Sequence, residues 1–449
     1  MRSASSRQPW AAALAPAPIR ATVSVPGSKS QTNRALVLAA LADGPSVIHN
    51  GLDARDTRLM RDGLRSLGVQ ITGTGATWEV APPDRFAGHV TVDCGLAGTV
   101  MRFLPAVALL ADGPVHFDGD EQAYARPMGP LLDTLTALGA TVDSEGGTLP
   151  FTVDGDVSGR TVTLDASSSS QFVSALLMVA ARLPGGLDLR HAGPPLPSRP
   201  HVEMTVAMLR ERHVRVDDSE PDRWVVAPGP IAPHQETIEP DLSNAAVFLA
   251  AAAVTGGAVT VPHWPGSTEQ PGEAIGDILV RFGAEASFDD RGLTVRGTDH
   301  LHGIDLDLSA ASELTPVVAA VAALADDTTH LRGVGHIRGH ETDRLAALAT
   351  ELERLGAHVG QNEDGLTIHP KLLGGAEWRT YADHRMAQAG ALLGLVVPDV
   401  TLDDIGCTDK TMPEFADLWR AMIDASRVDT SAEEGGTTPH DPPGQAGVE

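Results

Sequence analysis

The chain has 449 residues and a formal net charge of −26, with 4% aromatic residues and two cysteines. An acidic surface repels phosphate backbones and scarce aromatic rings offer few stacking platforms, which argues against nucleic-acid binding. Two cysteines, Cys94 and Cys407, exclude a disulfide framework and fit a reducing cytoplasm, and no apolar run is long enough to cross a membrane.

The N-terminal segment, residues 1–21, contains no acidic residue and is interrupted by prolines. We interpret it as a loose tail, because its apolar stretch is short. The first lysine follows in PGSKSQTNR, residues 26–34, and lysine occurs again only at Lys371 and Lys410. In a chain that otherwise uses arginine, Lys29 indicates a need for a compact, mobile ammonium; chance retention on the surface is the alternative.

Six segments rich in Ala, Leu and Val follow polar turns, and each predicts a buried helix. Their predicted starts lie near residues 29, 98, 170, 243, 312 and 383. A second series of segments, which predicts amphipathic helices that each lead into a strand, alternates with the first. These segments begin at Asp62, Asp133, Ala207, Asp277 and Glu351. A sixth, from Glu414, lacks its strand. A spacing of about seventy residues predicts six copies of one α/β unit.

A proline-rich stretch from Ala227, APGPIAPHQETIEPD, separates the third copy from the fourth and reads as a linker. Three copies on each side of it predict two similar domains with a cleft between them. The final segment, residues 428–449, has the polar composition of a disordered tail.

Cations stand at or just inside several predicted helix starts: Lys29, Arg34, Arg102 and Arg385. A helix N-terminus is already positive, so a cation there is unfavourable unless an anion lies between the two. Several such starts facing one cleft predict small phosphorylated or carboxylated ligands. The Walker spacing is absent, and no G-x-G-x-x-G follows a strand, so nucleotide hydrolysis and dinucleotide redox chemistry lose support.

Seven motifs occur in order along the chain: PGSKSQTNR, GLAGTVMR, YARPM, SSSSQF, GHETDRL, ADHRMA and DKTMP. Together they resemble the family of 5-enolpyruvylshikimate-3-phosphate synthase, over roughly residues 19 to 425. The resemblance implies transfer of the enolpyruvyl group of phosphoenolpyruvate to the 5-hydroxyl of shikimate 3-phosphate, without a metal or organic cofactor. It also implies a cytoplasmic monomer, a step of the shikimate pathway and a glyphosate target.

The fold implied by the resemblance is α/β, with two similar domains of three βαβαββ repeats each, arranged like an inverse α/β barrel. We therefore expect a first domain at residues 22–240. The second domain is expected to combine residues 1–21 with residues 241–427. The crossovers near residues 21 and 240 should let the domains close on substrates, with Lys29, Arg126 and Ser169 on one half and Glu313, Arg344 and Arg385 on the other.

By resemblance, one set of residues binds shikimate 3-phosphate: Lys29, Ser30, Arg34, Ser169, Ser170, Gln171, Ser198, Glu313 and His340. Another set surrounds phosphoenolpyruvate: Lys29, Gly98, Arg126, Gln171, Arg344, Arg385 and Lys410. Glu313 matches the family's base for the 5-hydroxyl, and Glu341 with Lys29 is expected to deliver the methylene proton. For each arginine alone the alternative is a solvated surface pair, and for Glu341 a carboxylate that stabilises its own helix.

The chain departs from common family residues at Leu96, His201, Glu313, His336 and His340. These departures put the contacts to the shikimate ring in doubt, and His340 could add a pH dependence near neutrality. His336 and His340, four residues apart, are also a weak candidate metal pair. Two other functions stay open: the related transferase that acts on UDP-N-acetylglucosamine, which typically supplies a cysteine acid, and a non-catalytic anion-binding repeat protein.

Overall fold

The computed structural model describes residues 9–434 of the chain as a mixed α/β fold. The helices are, in chain order, α1 (Lys29–Ala40), α2 (Arg55–Ser66), α3 (Gly98–Val107), α4 (Gly129–Ala137), α5 (Gln171–Ala180), α6 (Pro200–Glu211), α7 (Leu242–Thr255), α8 (Ile275–Arg281), α9 (Thr315–Ala322), α10 (Arg344–Arg354), α11 (His384–Gly394) and α12 (Phe415–Glu434). Short 3₁₀ helices include Ser312–Leu314, Gly335–Gly339 and Ile405–Lys410.

The strands are short, between two and five residues. In chain order they are β1 (Trp10–Ala11), β2 (Arg20–Thr22), β3 (Ser46–His49), β4 (Gln70–Thr74), β5 (Thr77–Ala81), β6 (Val90–Asp93), β7 (Val115–Asp118), β8 (Thr141–Ser144), β9 (Phe151–Asp154), β10 (Thr161–Leu164), β11 (Leu187–His191), β12 (Val216–Asp217), β13 (Arg223–Val226), β14 (Gln235–Thr237), β15 (Ala258–Val261), β16 (Glu285–Asp289), β17 (Gly292–Arg296), β18 (Asp305–Asp307), β19 (Thr329–Arg332), β20 (His358–Gln361), β21 (Leu366–His369), β22 (Glu377–Trp378) and β23 (Thr401–Leu402).

The third unit shows the repeating plan, in the order β10, α5, β11, α6, β12 and β13. Strand β10 pairs with β11 in parallel, with Thr161 opposite Asp188, and β11 pairs with β13 antiparallel, with Leu187 opposite Val226. Strand β12 closes the four-stranded sheet as a hairpin partner of β13. A helix joins the parallel strands because parallel pairing needs a crossover.

Three units are completed by strands from distant parts of the chain. In the first unit β14 pairs in parallel with β3, and in the fourth unit β2 pairs in parallel with β15. The sixth unit is a three-stranded sheet in which β1 pairs with β23, so a single N-terminal strand replaces the final hairpin. The six repeated units confirm the predicted α/β fold.

Two separate hydrophobic cores support the two-domain organisation. One core runs from Ala35 to Ile238, and the other contains Ile19 and Val23 together with residues from Leu242 to Ile423. The boundary expected between residues 21 and 22 lies within β2. The proposed division of the chain near residues 21 and 240 remains a prediction.

The inner helices lie in these cores because alanine-rich sequences leave no polar face to solvent. All residues of α3, α9 and α11 are buried, whereas the outer helix α2 buries fewer than half of its residues. Helix α12 extends to Glu434, so the first residues of the expected disordered tail are helical, while residues 435–449 lie outside the described part. Within residues 9–434, none of the helices combines the length and apolarity needed to cross a bilayer.

Candidate active site between the two domains

The starts of all six inner helices meet at one place between the two cores. Residues at or next to these starts line two adjoining cavities: Lys29 (α1), Gly98 (α3), Gln171 (α5), Ser243 (α7), Glu313 (before α9) and Arg385 (α11). Each helix directs its unpaired N–H groups and the positive end of its dipole toward this point. The predicted convergence of helix starts is therefore present, and it forms an environment suited to anions.

The two cavities contain most of the residues predicted for the site. The larger, of about 60 Å³, is lined by Lys29, Gly98, Arg126, Ser169, Ser170, Gln171, Ser198, Glu313, His340 and Glu341 among others. The smaller, of about 40 Å³, adds Ser30 and Arg385. Lys29, Gln171 and Glu313 line both cavities, so they stand between two potential ligand positions. Residues from both cores contribute to each cavity.

Three predicted residues do not line either cavity: Arg34, Arg344 and Lys410. Arg344 and Lys410 lie directly behind the wall, because both contact Glu341. Arg34 is turned into the first domain, where it is 1% exposed and donates to the Thr205 hydroxyl at 2.7 Å and to the Ser30 carbonyl at 3.0 Å. A substrate contact by Arg34 would require one of these bonds to be exchanged, and that contact remains a prediction.

Two buried guanidinium groups face the larger cavity without a carboxylate partner. Arg102 donates to the Gln171 side chain at 3.0 Å, and Arg126 donates to the Leu96 carbonyl at 3.2 Å. The Nε of each group has no hydrogen-bond partner, and no described carboxylate lies within ion-pair distance of either. Burial, and then the nearby Arg126, lower the pKa of Arg102 well below its usual value. Buried cations without a carboxylate partner, beside the start of α3, favour a bound anion.

Gly98 lies between these two cations. A Cβ atom built on Gly98 would lie 2.7 Å from Nη1 of Arg102 and 2.9 Å from Nη2 of Arg126. Glycine is therefore required here by close approach of side chains, and it leaves the space between the guanidinium groups open to a ligand.

Arg344 is the centre of the ion-pair network on the second domain. Its Nε donates to Asp383 at 2.7 Å, Nη1 donates to Glu313 at 3.0 Å, and Nη2 donates to Glu341 at 2.9 Å. Arg344 is 1% exposed, and Asp383 is fully buried. Because the planar fork reaches three carboxylates in different directions, it fixes their relative positions.

Both predicted catalytic carboxylates are held in the ionised form. Burial opposes ionisation of Glu313, but Arg344 and then Arg385 outweigh it and hold the pKa of Glu313 well below its usual range. For Glu341, burial is likewise outweighed by Lys410 and then Arg344, which lower its pKa. An ionised Glu313 suits the role of a base. Glu341 contacts Lys410 directly, so this pair can hold a proton between a carboxylate and an amine.

The ammonium of Lys29 faces a carboxylate that sequence reasoning missed. Asp56 is 1% exposed, and neither of its oxygens has a hydrogen-bond partner in the described residues. Lys29 Nζ lies 3.5 Å from Asp56 Oδ2. In sequence, Asp56 looks like an ordinary acidic residue in the first turn of a helix, so only the packing of α2 against α1 shows its role.

Ser198 connects the two domains across the cleft. Its backbone N–H donates to the Ser309 carbonyl at 3.0 Å, and its hydroxyl lies 3.0 Å from the Ser312 hydroxyl. Ser312 in turn lies 2.9 Å from Nε2 of His336. Ser198 has φ of +48°, a conformation that non-glycine residues rarely adopt, and the cross-domain contacts hold it there.

The histidines do not behave as the sequence suggested. Burial lowers the pKa of His340 to about 3, which argues against the expected pH dependence near neutrality. The rings of His336 and His340 are 5.9 Å apart, edge to face, and within residues 9–434 no group of three potential metal ligands converges. His384, also missed, lines the larger cavity with both ring nitrogens unpartnered, and its position within ADHRMA was the available signal.

Sequence comparisons identify one family, and solved structures share the fold. The sequence profile of EPSP synthase (3-phosphoshikimate 1-carboxyvinyltransferase) matches residues 14–419. A 3-phosphoshikimate 1-carboxyvinyltransferase from Mycobacterium ulcerans is 53% identical over 430 residues, which cover 94% of this chain and 99% of the relative. The solved EPSP synthase from Acinetobacter baumannii has a TM-score of 0.78 at 23% identity, covering 92% of this chain and 98% of that one. The enolpyruvyl transferase NikO from Streptomyces tendae has a TM-score of 0.70 at 20% identity, covering 92% and 97% respectively.

Proposed function

The chain belongs to the EPSP synthase family, and we propose that its interdomain cavities bind shikimate 3-phosphate and phosphoenolpyruvate side by side. The enzyme transfers the enolpyruvyl group of phosphoenolpyruvate to the 5-hydroxyl of shikimate 3-phosphate, releasing inorganic phosphate, within the shikimate pathway to the aromatic amino acids. The two substrates together carry two phosphates and two carboxylates, which match a site built from helix starts and buried cations.

The observation that carries this assignment is the pair of buried, unpaired guanidinium groups beside Gly98. Burying a cation without a partner is costly, so Arg102 and Arg126 favour a bound anion strongly. Planar guanidinium forks suit the carboxylate and phosphate of phosphoenolpyruvate. We place that substrate between Arg126 and Arg385, with Arg344 and Lys410 behind the wall, where Lys410 can reach the substrate only by leaving Glu341.

Shikimate 3-phosphate is then assigned to the serine-rich side of the cleft. Ser169, Ser170 and Ser198 offer hydroxyl and backbone N–H donors to its phosphate, next to the start of α5. Gln171 lines both cavities and Ser30 lines the smaller one, so they can contact the ring as well. His340 faces the same space as a neutral donor or acceptor, in place of a charged side chain.

The proton transfers follow from the ionisation states. Glu313, ionised by Arg344 and Arg385, accepts the proton of the 5-hydroxyl. Glu341 shares its site with Lys410, and a bound anion competes with the carboxylate for that cation. The pKa of Glu341 therefore rises on binding, so that it can take up a proton and give it to the methylene carbon as the 5-hydroxyl oxygen adds to the neighbouring carbon. A proton then returns from the resulting methyl group to Glu341 as phosphate leaves, which restores the double bond. Lys29, between both cavities, neutralises charge on either substrate.

Binding requires the domains to separate and close again. Cavities of about 60 and 40 Å³ are much smaller than the hundreds of Å³ typical for ligand sites. The cross-domain contacts of Ser198 must open to admit substrates and can re-form around them. All the proposed residues come from one chain, so we propose that a monomer is sufficient for activity.

The test is phosphate release by the purified protein with phosphoenolpyruvate and either shikimate 3-phosphate or UDP-N-acetylglucosamine as the acceptor. We expect release with shikimate 3-phosphate alone, reduced at least about 100-fold in Lys29→Met. Lys371→Met, at an exposed lysine outside the cavities, is the matched control and should retain full activity. Release with the sugar nucleotide alone would overturn the substrate assignment. Buried Cys94, whose pKa burial raises, does not line either cavity and offers no acid for that reaction.

A further inference from the structure

The chain directly before α11 forms a turn with an unusual sequence. Tyr381 and Ala382 have φ of +55° and +54°, and the N–H of Asp383 donates to the Thr380 carbonyl at 2.9 Å. Two successive positive φ values inside such a hydrogen-bonded turn are the pattern of a type I′ turn, which favours Asn-Gly. Tyrosine and alanine have no intrinsic preference for this conformation, so the surrounding structure must impose it.

One buried carboxylate holds the turn from outside the cavities. Glu351 of α10 is fully buried and accepts the Tyr381 hydroxyl at 2.6 Å and the backbone N–H of Arg379 at 3.1 Å. Arg354 donates to the same carboxylate at 3.0 Å, which holds it in place. Burial, and then the bond to Glu351, raise the pKa of Tyr381 to about 12, so the phenol remains a donor.

A second anchor fixes the start of the turn. Thr380 is 1% exposed, and both its backbone N–H and its hydroxyl donate to Asp403 at 2.8 Å. Thr380 and Tyr381 are therefore tied to different parts of the second domain. These hydrogen bonds, from Thr380 to Asp403 and from Tyr381 to Glu351, restrict the backbone so that it turns toward Asp383.

The turn leads directly into Asp383 and Arg385, which belong to the site. Asp383 caps α11 by accepting the N–H of Arg385 at 2.8 Å, and it also receives Nε of Arg344 at 2.7 Å. Arg344 and Glu351 are seven residues apart on α10, which places them on one face of that helix. Helix α10 therefore contacts this segment at two points. Glu351 binds the turn itself, and Arg344 binds Asp383, the last residue of the turn.

We propose that Glu351 and Tyr381 are positioning residues that hold the 380–383 turn in its left-handed conformation and so set the cations at Arg344 and Arg385. Neither side chain lines the cavities, and neither is proposed to touch a substrate. This inference rests on the proposed function for its kinetic consequence, namely the binding of phosphoenolpyruvate at these arginines. Its structural part, the dependence of the turn on one carboxylate, stands independently.

The first arm of the test measures both KM values in Tyr381→Phe and Glu351→Gln. We expect the KM for phosphoenolpyruvate to rise about tenfold in each variant, equivalent to ~1.4 kcal/mol, while the KM for shikimate 3-phosphate stays within about twofold. Glu353→Gln is the matched control, because it makes the same change at an exposed position of the same helix and should leave both constants unchanged.

The second arm is a rescue at the turn itself. Glycine adopts positive φ without penalty, so Ala382→Gly should stabilise the left-handed turn directly. We expect Tyr381→Phe combined with Ala382→Gly to recover at least half of the lost affinity for phosphoenolpyruvate. A general loss of packing would not be repaired by this substitution.

Amide hydrogen exchange at residues 380–385 gives a readout that does not depend on activity. Exchange of the Asp383 and Arg385 amides should accelerate in Tyr381→Phe and return toward the original rate in the double variant. Unchanged exchange in Tyr381→Phe and Glu351→Gln would overturn the proposal. A parallel rise of both KM values without rescue would also overturn it. If exchange responds as expected but phosphoenolpyruvate does not bind the parent protein, the proposed function fails and the positioning role of the turn remains.

Discussion

Replacing Arg344 with lysine tests the ion-pair network that orders the site. Lysine keeps the positive charge but replaces a planar fork with a single nitrogen. In the parent protein the fork reaches Asp383 at 2.7 Å, Glu313 at 3.0 Å and Glu341 at 2.9 Å. One ammonium cannot span all three, so at least one of these contacts is lost, although Glu341 keeps Lys410 and Glu313 keeps Arg385 at 3.7 Å.

The expected loss of stability is about 3 to 5 kcal/mol, the range for breaking a buried ion pair. The sign of its pH dependence follows from the carboxylates. In the parent protein the low pKa of Glu313 and Glu341 stabilises the fold above pH ~4.3, the unfolded value, and this contribution is lost in acid. In the variant these pKa values rise, so protonation relieves the buried charge. The stability difference should therefore be largest near pH ~7 and shrink as the pH falls toward and below ~4.3, where the variant takes up protons that the parent does not.

Urea unfolding of the parent and Arg344→Lys proteins at several pH values measures this difference, together with kcat/KM for phosphoenolpyruvate. The control is Arg291→Lys, which alters an exposed pair with Asp289 and should change stability by less than ~1 kcal/mol. A variant that unfolds within ~0.5 kcal/mol of the parent, or a deficit that stays constant as the pH falls from ~7 to ~3, would refute the reasoning.

Two further predictions concern the cavity and its histidines. Gly98→Ala places a Cβ 2.7 Å from Nη1 of Arg102. We therefore expect the KM for phosphoenolpyruvate to rise about tenfold, with little change in the KM for shikimate 3-phosphate. Equal changes in both constants would contradict this. Burial lowers the pKa of His201 to about 4 and of His340 to about 3. Because both rings are neutral in the folded protein, the free energy of unfolding should fall as the pH drops from ~6.5 to ~4. In urea titrations, His340→Gln should reduce the slope of this free energy against pH by up to ~1.4 kcal/mol per pH unit. An unaltered slope would contradict this.

Much of the architecture could be predicted because it is encoded locally. The six alanine-rich helices were expected to start near residues 29, 98, 170, 243, 312 and 383, and the observed inner helices or their preceding 3₁₀ turn begin within a residue of these positions. A helix start depends on its capping residue and its hydrophobic period, and both are read from a short window. The anion-binding character of the site could be predicted in the same way, because cations such as Lys29 and Arg102 lie within those helix starts.

The final assembly could not be read from such windows. Strands β2 and β14 complete units that lie more than a hundred residues away in sequence, and nothing local in three residues selects that partner. The same is true of the electrostatics. Sequence places Asp56 in a helix turn and His340 beside an acidic residue, but burial and distant partners decide that Asp56 faces Lys29 and that His340 is neutral.

The sequence by itself thus determined the repeated unit, the buried helices and the kind of ligand, because periodicity, capping and local charge are short-range properties. Only the tertiary structure decided that Arg34 turns inward, that Arg344 joins three carboxylates, and that a Tyr-Ala turn is held by a carboxylate on another helix. These outcomes depend on side chains brought together across the fold, where burial and Coulomb interactions change with every neighbour.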